Sequence, residues 1–300
     1  MFEGLYTALV TPFYSDGRFN DSKLKDLIRI QAKAGVAGIV PAGTTGENPT
    51  FSDREHLRVF SVAIEAAKEE NLQVIAGCGS NNTEKAIILC KKAAEYGADG
   101  ALVITPYYNK PNQDGLYKHF SLIADNSPIP IVMYNVPSRT GVHLSAETSI
   151  KLSYHENIVS LKEASGNLSH VQEIIFNVDN RMSILSGEDN LTFSIMALGG
   201  KGCISVVSNI IPKEYNTLIE SMLRRDYYTS LKFAKKLDEI CRKMFIDTNP
   251  IPVKAAMNIM GMDVGPTRLP LTKISPEKYE ELVILLNKYG LITPNGGQEV

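Results

Sequence analysis

The sequence predicts an α/β protein: a (β/α)8 TIM barrel followed by a small C-terminal helical extension. Three observations predict it. Short β-rich runs alternate with longer amphipathic stretches, which means parallel strands joined by crossover helices. Eight such units fit within residues 1–225, the count at which a parallel sheet closes on itself. After that the strands stop and only helical stretches follow, so the chain is read as a barrel over 1–225 and a three-helix extension over 226–300. A doubly wound open sheet is the alternative. It calls for a glycine-rich fingerprint after its first strand, and Thr11-Pro12-Phe13 is not one.

In order, residues 6–10 are an apolar run closed by Thr11-Pro12, and 20–34 have helical spacing, with Leu24, Leu27, Ile28 and Gln31 on one face. Residues 38–41 are the second strand and 52–68 a helix, with Ser52 and Glu55 as a capping box. Strands over 73–77, 100–105 and 129–134 alternate with helices over 83–96, 113–125 and 145–153. A strand over 158–162 precedes a helix over 168–177, with Gly166 and Asn167 breaking the one and capping the other. Strands over 183–186 and 202–206 are followed by helices over 190–198 and 212–223. The extension has helical stretches over 227–245, 252–261 and 276–289, with Pro250 and Pro252 where a helix starts. The polar end, 293–300, is read as frayed.

Composition excludes several classes. At 44% hydrophobic and 21% charged over 300 residues, the chain is ordinary globular material. A net charge of −2, from 31 basic and 33 acidic residues, gives no basic face for nucleic acid or an anionic membrane. Met1-Phe2-Glu3-Gly4 reads as neither a signal nor a transit peptide, and no apolar run reaches a membrane span. Cys78, Cys90, Cys203 and Cys241 form no Cys-x-x-Cys pair, so the expectation is free buried thiols in a reducing cytoplasm, without zinc or disulfides. The five histidines have no ligand spacing, and no metal is expected.

One lysine organises the rest. Ile158 to Lys162 reads as a buried strand, and Lys is among the residues least often buried. Burial disfavours the charged form of an amine, and a neutral amine condenses with a carbonyl to a Schiff base. A solvated lysine at a strand end is the bland alternative. Barrel enzymes carry their chemistry in the loops after the strand C-termini. There the sequence places Gly43-Thr44-Thr45-Gly46-Glu47, Thr105-Pro106-Tyr107-Tyr108-Asn109, Tyr134 to Gly141 with Arg139 among them, Lys162, and Gly187-Glu188-Asp189-Asn190. The Gly-Thr-Thr-Gly loop suits an anion through backbone N–H groups and hydroxyls, or is a plain turn with capping threonines. Tyr134 is on the strand beside that of Lys162, as a proton carrier or as a core tyrosine. Arg139 is a bidentate carboxylate binder or a surface ion-pair member. Tyr107 and Tyr108 also fit plain packing, and Glu163 points to the other side of its strand as a structural residue.

These motifs carry a resemblance. Gly43-Thr44-Thr45-Gly46-Glu47, Tyr134-Asn135-Val136-Pro137-Ser138-Arg139-Thr140-Gly141, Lys162-Glu163-Ala164 and Asn249-Pro250-Ile251-Pro252-Val253-Lys254 stand in a familiar order and spacing. Over about residues 1 to 290 the chain resembles the dihydrodipicolinate synthase family. That family is part of the pyruvate-dependent class I aldolase and lyase superfamily, which includes N-acetylneuraminate lyase. Arg139 in its Ser-Arg-Thr-Gly setting favours the synthase.

The resemblance implies a lyase of lysine and diaminopimelate biosynthesis that joins pyruvate to L-aspartate 4-semialdehyde, without a cofactor. Lys162 would form the imine, and Tyr134 would move protons around it. Thr45 would link Tyr134 to Tyr108 in a hydroxyl relay, with Tyr108 entering from a neighbouring subunit of a homotetramer, a dimer of dimers. Thr44 and Thr45 would hold the pyruvate carboxylate, Arg139 that of the semialdehyde, and Gly187 and Ile204 would line the pocket through their backbones. Lysine-inhibited members bind lysine at the subunit interface through His and Glu. Here the matching positions are Asp53 and Lys85, while His56, Asn81 and Tyr107 are retained. A cation at Lys85 repels an effector ammonium, so weak or absent lysine feedback is expected. The rivals are a sugar-acid lyase sharing Lys162 and an inert binding barrel, against which the intact Lys162, Tyr134, Thr45 and Tyr108 speak.

Overall fold

The architecture comes from a computed structural model, and residues 1–292 are described; the fraying expected over 293–300 lies outside them. The elements run β1 (Gly4–Ala8), α1 (Asp21–Lys33), β2 (Gly38–Val40), α2 (Asp53–Glu69), β3 (Gln73–Gly77), α3 (Thr83–Tyr96), β4 (Gly100–Ile104) and α4 (Gln113–Asn126). They continue with β5 (Ile131–Asn135), α5 (Pro137–Thr140), α6 (Ala146–Leu152), β6 (Ile158–Glu163), α7 (Leu168–Val178), β7 (Ser183–Ser186), α8 (Thr192–Ala197), β8 (Gly202–Ser205) and α9 (Pro212–Leu223). The last three helices are α10 (Tyr227–Lys243), α11 (Ile251–Ile259) and α12 (Pro276–Lys288). All neighbouring strands are parallel, and the eight close in sequence order, β8 pairing back onto β1: the chain is a TIM barrel. No helix among the described residues is long and apolar enough to cross a membrane.

Three differences from the expected elements have local causes. β5 begins at Ile131 rather than 129, because Pro130 has no N–H for the ladder. The segment expected as one helix over 190–198 is a 3-10 turn, Asp189–Leu191, followed by the shorter α8. The buried Asp189 carboxylate there accepts from the backbone N–H of Val206 and Val207, which ties the turn to the end of β8. The unexpected α5 has proline at its start and Gly141 as its left-handed C-cap, the usual asymmetry of helix ends. The Ser52 and Glu55 box is only half made. Ser52 Oγ accepts from Glu55 N at 3.2 Å, while the Glu55 carboxylate goes to Arg268.

The apolar residues form two packed sets. One fills the barrel: Tyr6, Val40, Ile75, Leu102, Val132, Tyr134, Leu185 and Ile204 point inward. The other lies between strands and helices and includes Leu27, Ile28, Phe60, Met133, Leu161 and Ile174. Alternation along each strand assigns residues to one set or the other. Strand β6 departs from strict alternation. Ile131 pairs with Ile158 but Val132 pairs with Ser160, so β6 carries one extra residue, a bulge at Val159. Beyond it Tyr134 stands opposite Lys162 and Asn135 opposite Glu163. Without the extra residue Tyr134 would face Leu161, and Lys162 would turn toward the helices.

After α9, α10 packs along it and α11 packs against α12. Helix α11 and the turns flanking it come back to the barrel mouth, where Asn249, Lys254 and Arg268 bond to Thr45 and Glu47 of the loop after β2.

Candidate active site

Lys162 ends the inward row of β6 and is 5% exposed. Its Nζ is 4.3 Å from the ring centroid of Tyr134, its neighbour across the ladder, which is 6% exposed. Among the described residues no carboxylate pairs with Lys162 in an ion pair.

The two residues open into a cleft of about 660 Å³ that also includes Thr45, Arg139, Gly187, Glu188, Asp247 and Asn249 in its walls. Six of the eight expected site residues converge in this region. Lys162, Tyr134, Thr45, Arg139 and Gly187 line the cleft itself, and Thr44 lines an adjoining recess of about 280 Å³ that shares Tyr134 and Arg139. Ile204 lies inside the barrel on β8, fully buried and opposite Tyr6 of β1. Tyr108 does not join them. It is 90% exposed with φ of +71°, a backbone region that non-glycine residues rarely occupy.

Thr45 is buried, and its Oγ1 accepts from Asn249 Nδ2 at 2.9 Å. Among the described residues no hydrogen bond joins Thr45 to Tyr134, so the expected hydroxyl relay is not made within this chain. Arg139, on α5 at the mouth, donates from Nη2 to the carbonyl oxygen of the same Asn249 at 3.1 Å. Gly187 is required by close approach: a Cβ there would lie 2.7 Å from Ala164 Cβ and 3.0 Å from Lys162 Cε.

Three features of the cleft region go unassigned at the sequence level. Asn249 organises Thr45 and Arg139 together; the only signal was its place in the Asn249 to Lys254 motif. Glu47, at the end of the Gly-Thr-Thr-Gly loop, is fully buried and held by Lys254 Nζ at 2.8 Å and by the N–H of Arg268 at 2.8 Å. Burial pushes the Lys254 ammonium down to about 8, against the pull of Glu47. Glu188 follows Gly187 in the cleft wall. Burial and the neighbouring Asp189 push its carboxyl up to about 7, against the opposing pull of Lys162 and Arg139. Glu163 is structural, as expected. Its carboxylate accepts from Asn135 Nδ2 at 2.9 Å and Ser165 N at 2.7 Å, outside the cleft.

A sequence model described as the dihydrodipicolinate synthetase family matches residues 1–289. The chain belongs to the dihydrodipicolinate synthetase family. A relative in Syntrophotalea carbinolica, named 4-hydroxy-tetrahydrodipicolinate synthase, is 44% identical over 97% of this chain and 99% of its own. The dihydrodipicolinate synthase structure from Aquifex aeolicus superposes with a TM-score of 0.95 at 44% identity, covering 98% of this chain and all of that one. The dihydrodipicolinate synthase from Acinetobacter baumannii, solved complexed with pyruvate, superposes with a TM-score of 0.95 at 38% identity, covering 97% of this chain and 100% of its own. The cleft described above therefore sits in a dihydrodipicolinate synthetase family barrel, at the strand ends where such barrels carry their chemistry.

Proposed function

We propose that this chain is a 4-hydroxy-tetrahydrodipicolinate synthase, a lyase that joins pyruvate to L-aspartate 4-semialdehyde through a Schiff base on Lys162. The observation that carries this reading is the buried Lys162 placed across the ladder from Tyr134, in a cleft with one arginine at its mouth. Lys162 attacks the pyruvate keto carbon, and loss of water gives the imine. The imine nitrogen draws electrons, which acidifies the pyruvate methyl group. Loss of a methyl proton gives an enamine, and its carbon bonds to the aldehyde carbon of the semialdehyde. The amine of the semialdehyde then displaces Lys162 and closes the ring. Tyr134 carries protons at the imine, Thr44 and Thr45 hold the pyruvate carboxylate, and Arg139 holds that of the semialdehyde. Gly187 and Ile204 line the pocket with backbone groups.

A homotetramer, a dimer of dimers, fits the outward Tyr108, whose phenol then completes the relay through Thr45 in a neighbouring subunit's cleft. Weak or absent lysine feedback is supported by Lys85, whose Nζ pairs with Asp53 Oδ1 at 3.1 Å where an effector ammonium would need a free acid. Clear inhibition by lysine below about 1 mM would refute that part. Four free, buried cysteines suit a reducing cytoplasm.

The test is a coupled assay with both substrates, an excess of a reductase that consumes the product, and NADPH loss as readout. Loss that requires both substrates and disappears in Lys162→Ala is the expected result. A sugar-acid lyase shares the Lys162 chemistry but has no use for a fixed cation at Arg139. Pyruvate trapped on Lys162 by borohydride, with no NADPH loss, would favour that lyase instead.

A further inference from the structure

The cleft has two carboxylates in its walls, Glu188 and Asp247. Asp247 is occupied, by Lys278 at 2.7 Å and by the N–H of Thr248. Glu188 is not: among the described residues its carboxylate makes no hydrogen bond and no ion pair. It is half-buried and follows Gly187, which packs against the Lys162 stem. The charged groups around it are Lys162 and Arg139 in the cleft, Asp189 and Glu163 behind it, and Arg242 on the extension side, itself bound to Asp238 at 2.9 Å. A half-buried carboxylate in the cleft wall that no protein donor occupies is free to take a cationic group of a ligand through charge-assisted hydrogen bonds. The semialdehyde proposed above carries an ammonium next to its carboxylate, and Arg139 accounts only for the carboxylate.

We propose that Glu188 receives the ammonium group of the semialdehyde and takes a proton from it, which frees that nitrogen to displace Lys162. This deepens the synthase reading and rests on it. After the carbon–carbon bond has formed, Glu188 takes one of the three ammonium protons and becomes the neutral acid. The freed nitrogen pair bonds to the carbon of the protonated imine that the carbon–carbon step leaves on Lys162, and the π pair moves onto Lys162 Nζ. A second proton passes from the ring nitrogen to Nζ. The C–Nζ bond then breaks with its pair on Nζ, leaving a cyclic iminium, a free Lys162 amine and a protonated Glu188. A carboxyl held near 7 suits the exchange, because it both accepts and releases a proton close to neutrality.

The experiment compares wild type, Glu188→Gln and Glu188→Asp in the coupled assay, with borohydride trapping beside it. In Glu188→Gln, kcat/KM for the semialdehyde should fall roughly tenfold to a hundredfold, the worth of a charged hydrogen bond. The rate of pyruvate trapping should stay within about twofold. The acid limb of kcat/KM for the semialdehyde, near pH 7 in wild type, should flatten in Glu188→Gln and return in Glu188→Asp. The decisive probe is the semialdehyde analogue lacking the amine, 4-oxobutanoate. It can form the carbon–carbon bond but cannot displace Lys162, so the trapped adduct gains its mass. That adduct should form equally in wild type and Glu188→Gln. Equal slowing of pyruvate trapping and of the 4-oxobutanoate adduct would overturn the proposal, because Glu188 would then serve the imine or the fold. An unchanged semialdehyde kcat/KM would overturn it as well. Wild type inactive in the coupled assay would instead sink the synthase reading.

Discussion

Asn249 Nδ2 donates to Thr45 Oγ1 at 2.9 Å, so the Thr45 hydroxyl is an acceptor on that side and directs its own proton elsewhere. The Asn249 Oδ1 is buried with no hydrogen-bond partner among the described residues, a cost that stability alone does not explain. Asn249→Ala should therefore lower kcat about tenfold, the loss of one hydrogen bond at the reacting centre, while unfolding free energy changes by less than about 1 kcal/mol. Steady-state kinetics beside urea unfolding check both halves. A large loss of stability with normal kcat would refute the assignment.

Gly187→Ala should slow imine formation about a hundredfold without unfolding the barrel. The added methyl meets Ala164 Cβ at 2.7 Å and Lys162 Cε at 3.0 Å, so the lysine stem has to move. A displacement of about 1 Å costs on the order of a hundredfold in rate. The rate of borohydride trapping with pyruvate reads this directly, and a rate within threefold of wild type would contradict it.

Lys254 and Glu47 are both almost fully buried, 2.8 Å apart. Lys254→Met leaves Glu47 as an uncompensated buried charge and should destabilise by about 3–5 kcal/mol. The double variant Lys254→Met with Glu47→Gln removes that charge and should recover a large part of the loss. Chemical denaturation of the two variants decides it, and equal stability of both would show that the pair is not coupled.

His119 should make the protein acid-sensitive. Burial holds its imidazole down to about 4, below the 6.5 of the unfolded chain, and its Nδ1 meets Thr83 Oγ1 at 2.9 Å. Between those values the unfolded chain binds a proton that the folded one does not. The stability is therefore fully present above pH 6.5 and is lost as the pH falls toward 4. The loss is about 3 kcal/mol. His119→Gln should be less stable than wild type at pH 7 and lose about 3 kcal/mol less on going to pH 4. Parallel pH dependence of the two proteins would refute it.

Much of this was legible in the sequence because the barrel repeats. Each strand announces itself by a short apolar run, and the loops after the strands carry Thr44, Thr45, Arg139, Lys162 and Gly187 in an order that a barrel brings to one rim. The nearness of Tyr134 to Lys162 follows from their neighbouring strands, but its register depends on the bulge at Val159, and nothing in Ile158-Val159-Ser160 marks an extra residue. Asn249 and Lys254 were visible as a motif and not as contacts, since their partners Thr45 and Glu47 lie about 200 positions earlier. The state of Glu188 was out of reach for a different reason: an unpaired carboxylate is recognised only when every possible partner has been placed.

The clasp of Asn249, Lys254 and Arg268 on the barrel loops also has a consequence in time. During synthesis all eight strands are made before any of these three residues. A nascent chain can close its sheet and expose Lys162 while the loop bearing Thr45 and Glu47 is still unfastened. Catalytic competence is therefore among the last properties that the growing polypeptide acquires, since a chain that stops near residue 240 has all eight strands and none of the three residues that fasten the loop after β2.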